Sequence, residues 1–347
     1  MKHNRLTILG LLVIGTLLIA ACGGAGKSAD DGKTKVVYII GGTLGDKSFV
    51  DSANRGLLQA VEDFGIEYVP VEASADPAKI VAAFMDAVND PTVDFILNSQ
   101  SELIENVAEV APQNPEKKFV IFDQPFDFEA CPDCKANVYA MQYKQNEGSY
   151  LAGFYAGLMS ESKIIGAVGG MDIPVINDFM VGYVQGAVDA GLKKEDVLIQ
   201  YAASWSDPAK GKELALTMYQ QGADIVFQVA GGTGEGVFYA AQEANKWAIG
   251  VDSDQALIIE ETNPEQAARI LTSMLKNVDK SMVRLFKMNS EGKVPFGTNE
   301  ALGIPEDGVG LVYNKFFEEY TSQEVKDKLA EAQTKVVSGE IVVESVY

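Results

Sequence analysis

K-V-V-Y-I-I-G-G at Lys35 to Gly42 and K-I-I-G-A-V-G-G at Lys163 to Gly170 are two versions of one phrase. A lysine opens each, a short apolar run follows, and a glycine pair closes it, the pattern of a buried strand handing over to a turn. Outward from each phrase, apolar runs alternate with segments of helical period. The first expected strands are Val36 to Ile40, Glu67 to Val71, Val93 to Leu97 and Phe119 to Asp123. The second set is Lys163 to Val168, Val197 to Ala202, Ile225 to Val229 and Trp247 to Asp252. Between the first strands, Ala53, Leu57, Val61 and Phe64 share one helical face, as do Ile80, Phe84 and Val88. Strand-helix alternation, twice over, predicts an α/β protein with two doubly wound parallel sheets.

The halves also end alike. K-K-F-V-I-F-D-Q closes the first at Gln124, and N-K-W-A-I-G-V-D-S-D-Q closes the second at Gln255. Each closing strand therefore ends on an aspartate, Asp123 or Asp252, and the carboxyl ends of strands in open α/β sheets face the ligand crevice. A helical pattern from Pro264 to Met288, a short apolar run at Val309 to Tyr313 and a charged helix from Ser322 complete the chain. A chain that builds one lobe, then another, then returns predicts several crossings and a hinged cleft. The expected division is residues 35–124 with 256–304 in the N-terminal lobe, and 125–255 with 305–347 in the C-terminal lobe.

Length and charge agree with this plan. The 347 residues, 47% of them hydrophobic, suffice for two cores. Twenty-eight Lys and Arg against 49 Asp and Glu, a net of −21, argue against a nucleic-acid partner and favour a neutral or cationic ligand. At the start, Lys2 and Arg5 precede an apolar run from Leu6 to Leu18, too short to span a bilayer. Residues 1–21 read as a signal peptide. The ending L-I-A-A-C resembles a bacterial lipobox, with Cys22 to be acylated and Ile19 where leucine is usual. Its removal leaves 26 positive against 49 negative side chains. Residues 22–34 read as a flexible tether. Gly26-Lys27-Ser28 within it looks like the end of a phosphate loop but lacks the earlier glycine and the preceding strand.

Little in the mature chain is equipped for catalysis. The only histidine is His3, inside the signal, so the mature chain would have none, which removes Ser-His-Asp and Cys-His chemistry and any histidine metal site. No catalytic residue, metal or cofactor is expected. G-G-T-G-E-G at Gly231 to Gly236 fails the G-x-G-x-x-G spacing, so its glycines serve a close backbone approach or a tight turn. Cys131 and Cys134, in C-P-D-C, lack further zinc ligands and do not open a helix after a strand. A local disulfide is expected there, with two free thiols as the alternative.

The aromatics are more informative. Phe49 in G-D-K-S-F-V-D and Phe179 in I-N-D-F-M-V-G-Y follow corresponding strands of the two halves, beside Asp46 and Asp178. One ring from each lobe would form a slot for a flat heterocycle, each stacking contact being worth roughly 1–3 kcal/mol per base. Ordinary helix-to-sheet core is the competing reading. Asp123 and Asp252 would accept hydrogen bonds from a base edge or from hydroxyls, or else cap helices.

Taken together, G-D-K-S-F-V-D-S-A-N-R-G-L, F-V-I-F-D-Q, E-G-S-Y-L-A-G-F-Y-A-G, I-I-G-A-V-G-G-M-D-I-P, F-M-V-G-Y-V-Q-G-A, A-G-G-T-G-E-G, G-V-D-S-D-Q and L-T-S-M-L-K resemble the basic membrane protein family of lipoproteins. These are substrate-binding proteins of ABC transporters, of the purine nucleoside receptor type. The resemblance spans nearly the whole mature chain. It implies a type I periplasmic-binding-protein fold, two α/β lobes joined by a three-strand hinge, held by lipid at the extracytoplasmic face of the cell membrane. Such a protein captures a purine nucleoside between its lobes and delivers it to a permease unchanged. The resemblance also implies roles: Phe49 and Phe179 stack, Asp123 binds the base, Asp252 and Lys276 hold the ribose, and Gly232 approaches the ligand, with Asp46 a further contact. From the residues alone, Lys276 reads as a solvated charge on a helix.

Two departures mark this chain. Gly45 and Val50 stand where the family's D-D-K-S-F-N has an acid and an asparagine, and Ile40 and Gly41 where some members have polar contacts. Fewer polar groups near the base would suit another flat ligand such as riboflavin, which is the alternative. A sensory lipoprotein of the same fold is a second. An enzyme using Asp46, Asp123 or Asp252 as general acid or base is a third.

Overall fold

The computed structural model describes residues 32–74 and 76–347. The expected signal segment, Cys22 and the tether up to residue 31 lie outside the described residues. The first five strands are β1 (Lys35–Ile40), β2 (Glu67–Glu72), β3 (Phe95–Asn98), β4 (Lys118–Phe122) and β5 (Val138–Tyr143). Five more follow: β6 (Ile165–Gly169), β7 (Val197–Tyr201), β8 (Ile225–Val229), β9 (Trp247–Asp252) and β10 (Ile270–Lys276). Two short strands, β11 (Asn299–Leu302) and β12 (Val309–Leu311), come last.

One sheet has the order β11-β5-β4-β3-β1-β2 and the other β12-β10-β9-β8-β6-β7. Every pairing is parallel except β10 with β12. The central strands are apolar runs rather than alternating ones because helices cover both faces, and β3, β6 and β8 are buried along their whole length. These are the two doubly wound lobes that the repeated phrase predicts.

The lobe boundaries differ from those expected. Val138–Tyr143 completes the first sheet instead of opening the second lobe, and Ile270–Lys276 belongs to the second sheet instead of returning to the first. The chain therefore leaves the first lobe after Tyr143 and the second after Lys276. The helical pattern read from Pro264 to Met288 merges a short helix (Pro264–Ala267), β10 and the helix Val278–Ser290. No glycine or proline separates β10 from that helix, so two periods blur within one window. Beyond β10, the helix Val278–Ser290 packs back on the first lobe's helix Phe49–Phe64, where Arg55 pairs with Asp279 at 3.2 Å.

Three crossings join the lobes, and they are bonded to one another. The Lys144 N–H donates to the Leu302 carbonyl at 3.0 Å and the Asn277 N–H to the Gly308 carbonyl at 2.9 Å. This is the three-strand hinge. Beside it, the helices Gln145–Met159 and Pro174–Asp189 lie in near contact through glycines. A Cβ on Gly153 would stand 1.9 Å from the Tyr183 carbonyl oxygen, and one on Gly186 2.0 Å from that of Tyr150. Close packing here fixes the helix that bears Phe179. Cys131 and Cys134 form a disulfide across the turn Pro132–Ala136, with Cys134 buried against the first lobe's core. Among the described residues, no helix is long and apolar enough to cross a membrane.

Candidate functional site

The loop after β1 is organised by its own carboxylates. Asp46 accepts the N–H groups of Ser48, Val50 and Asp51 at 2.9 to 3.0 Å, and Asp51 accepts those of Gly45 and Lys47 at 2.8 Å. Asp46 so caps the helix Phe49–Phe64 at its positive end, while Asp51, in the helix's first turn, ties the preceding loop back onto it. Gly45 has φ +99°, a conformation that glycine adopts without strain, so its place in this loop is a backbone requirement. The cap presents Phe49, the first residue of the helix, at the carboxyl edge of the sheet. Its ring stacks on Phe122 with centroids 5.7 Å apart.

At that edge lies a cavity of about 550 Å³ between the lobes. Asp46, Phe49 and Asp123 line it from the first lobe; Phe179, Gly232, Asp252 and Lys276 line it from the second. The seven residues expected to contact a ligand therefore line one cavity, whereas Asp178 is turned away from it, bonded to Gln145 and Ser345. Lys276 is the last residue of β10, 2% exposed, and not a helix surface charge. Its ammonium pairs with Asp123 from the other lobe and lies 5.2 Å from the Phe49 ring centre, 5.0 Å from that of Phe179 and 5.4 Å from that of Tyr143. Three rings around a cation make a cation–π cage. Phe179 is 2% exposed and Phe49 half-buried, so the two phenylalanines are unequal in their share of core.

The matching strand ends share a backbone conformation. Asp123 has φ +66° and Asp252 φ +65°, a left-handed region rarely used by residues other than glycine and concentrated at functional sites. Asp252 accepts the Ser48 hydroxyl from across the cleft. Burial pushes its carboxyl up to about 7, opposed by Lys276 and by the Ser48 bond. Burial likewise raises Asp123, again opposed by Lys276, and raises Asp46, opposed by its three backbone donors. With its oxygens committed to the helix cap, Asp46 shapes the loop. That leaves Asp123 and Asp252 beside one ammonium, an acceptor-rich pair suited to ligand hydroxyl and N–H groups and unfavourable to a phosphate.

Gly232 lies in the turn Gly231–Gly234 after β8, where a Cβ would stand 3.2 Å from the Trp205 carbonyl oxygen. Trp205 itself was not anticipated. It lines the cavity, 40% exposed, its ring lying where a Cβ on Gly170 would be. One of only two tryptophans, in a polar loop at a strand's carboxyl end, it carried a usable signal. Lys47 and Glu235 also went unread; they pair at 2.9 Å across the cleft. Further bonds between the lobes join Arg55 to Ser253 at 2.8 Å and Gln255 to the Lys47 carbonyl at 3.1 Å. Among the described residues, no group of three or more His, Cys, Asp or Glu is placed to hold a metal.

A family model described as ABC transporter substrate-binding protein PnrA-like matches residues 33–345. The chain is 31% identical to the ABC transporter nucleoside-binding protein BmpA of Lactococcus lactis, over 99% of this chain and all of that one. It is 29% identical to basic membrane protein A of Borreliella burgdorferi, over 97% of this chain and 95% of that one. Among solved structures, an ABC transporter solute-binding protein from Aeropyrum pernix superposes with a TM-score of 0.76 at 26% identity, covering 90% of this chain and 93% of that one. A D-allose-bound solute-binding protein from Actinobacillus succinogenes, at 12% identity and a TM-score of 0.61 over 83% of this chain and 99% of that one, shares the fold.

Proposed function

Because the chain belongs to the PnrA-like family of ABC transporter substrate-binding proteins, we propose that it captures a purine nucleoside between its lobes and delivers it to the permease. The convergence of one phenylalanine from each lobe on the buried Lys276–Asp123 pair supports this reading most directly. A base stacked between Phe49 and Phe179 displaces the Lys276 ammonium from the rings towards Asp252, where both groups serve the ribose hydroxyls. Asp123 then accepts a base N–H. A neutral ligand fits the acid-rich walls, and the lobes close over it through Lys47–Glu235 and Ser48–Asp252. Binding here is transport and involves no bond making.

The experiment is titration calorimetry with adenosine, guanosine and inosine on the mature protein. Dissociation constants in the micromolar range or tighter are expected. Silence with all three, together with heat from riboflavin, would move the assignment to a flavin-type ligand. We also infer that acylation at Cys22 holds the protein to the outer face of the cell membrane. Detergent phase partitioning of the full chain expressed in bacteria reads this: the wild type should enter the detergent phase and Cys22→Ala the aqueous one.

A further inference from the structure

On the first lobe's wall, a second polar group stands beside the acid. The strand order β4-β3-β1 sets three carboxyl ends side by side: Asp123 after β4, Ser99 and Gln100 after β3, and the Gly41-to-Phe49 loop after β1. Gln100 lines the same cavity as Phe49 and Asp123. Its carboxamide lies on Gly41, where a Cβ would be 2.2 Å from Oε1 and 2.9 Å from Nε2. The missing side chain at position 41 is therefore the space that the amide of Gln100 fills. Nε2 donates to the Ser99 hydroxyl at 3.1 Å, while Oε1 accepts no hydrogen bond among the described residues. One acceptor and one N–H are left for the cavity.

We propose that Gln100 is a specificity-determining residue that reads the six-membered edge of the bound heterocycle and sets the breadth of purines accepted. This rests on the nucleoside reading of the cleft. A carboxamide offers a donor and an acceptor side by side, and a half-turn about its last bond exchanges them. In one orientation it matches a 6-amino purine, which presents an N–H beside a ring nitrogen, as glutamine does with adenine. In the other it matches a 6-oxo purine, which presents a carbonyl beside an N–H. Asp123, an acceptor when ionised, can take the second N–H of a 6-amino group. Adenosine and inosine should accordingly bind with dissociation constants within about tenfold of each other, since only a site with fixed donors rejects one of them strongly.

The test measures both nucleosides by calorimetry on the mature wild type and three variants. Gln100→Glu keeps the shape but only accepts; it should weaken both nucleosides by about tenfold or more, because the carboxylate then faces the ring nitrogen of adenine in one case and the 6-carbonyl in the other. Gln100→Leu should weaken both nucleosides alike. Gly41→Ala, whose methyl expels the amide from its seat, should reproduce Gln100→Leu. A wild-type preference between adenosine and inosine well beyond about tenfold, or undiminished binding of either nucleoside in Gln100→Glu or Gln100→Leu, overturns the assignment. Wild-type protein that binds no purine nucleoside overturns the reading beneath it instead, an outcome visible before any variant is made.

Discussion

Asp252 keeps its proton to about pH 7 because burial penalises its charge more than Lys276 and Ser48 relieve it. Its folded value lies above the ordinary 3.8, so the folded state holds the proton more tightly than the unfolded chain does. The stability that this group contributes is complete below pH 3.8 and is lost as the pH rises through about 7. Relative to Asp252→Asn, wild-type protein should lose up to about 4 kcal/mol between those limits, at 1.36 kcal/mol per unit. Urea unfolding of both proteins at pH 4 and pH 7.5 measures it; parallel curves would contradict it. The two phenylalanines separate differently. Phe49→Ala should cost roughly 1–3 kcal/mol of nucleoside affinity with little effect on folding, because that ring is only half-buried. Phe179→Ala should cost affinity and also roughly 3–5 kcal/mol of stability, because its ring is 2% exposed. Calorimetry paired with denaturant midpoints distinguishes the two, and a Phe49→Ala protein that binds like wild type removes the stacking role.

The elements place these residues through their ends. Phe49 begins a helix, Asp123 follows β4, and Asp252 and Lys276 end β9 and β10. The strand-end aspartates were legible because the two closing phrases match, and their shared positive φ shows that the match extends to the backbone. Lys276 was not legible as a strand residue, because I-L-T-S-M-L-K mixes apolar and small polar residues and runs directly into a helix. Only the sheet shows why it is buried: Thr272 donates its hydroxyl to the Val312 carbonyl at 2.7 Å, so β10 can be internal despite its polar residues. The Cys131–Cys134 element stands apart from the cleft, in a turn packed on the opposite side of the first sheet from Phe49. Cys131→Ser with Cys134→Ser should leave nucleoside affinity unchanged while lowering stability by about 2 kcal/mol, the loop-entropy value for so short a ring. A change in affinity would place the disulfide in communication with the site.

As a whole, the molecule is two lobes on three bonded crossings, closed by contacts that span the cleft. Lys47–Glu235 is partly solvated, with side chains 37% and 22% exposed, so it is worth at most about 1 kcal/mol. Glu235→Gln should speed ligand release by up to about fivefold, in line with that energy, and leave unfolding unaffected. Stopped-flow release at low and high salt measures it: the wild-type rate should rise with salt towards that of the variant. Sequence by itself determined the two-lobed α/β plan, because buried parallel strands must be short apolar runs and helices must repeat near every fourth residue, whatever their neighbours. It also marked the paired phenylalanines and the strand-end acids, which local phrases repeat. Tertiary structure alone decided where the chain crosses between lobes, that Lys276 lies among three rings, and that the carboxamide of Gln100 fills the space left by Gly41. Those facts depend on which residues distant in the chain share one volume, and no local period encodes that.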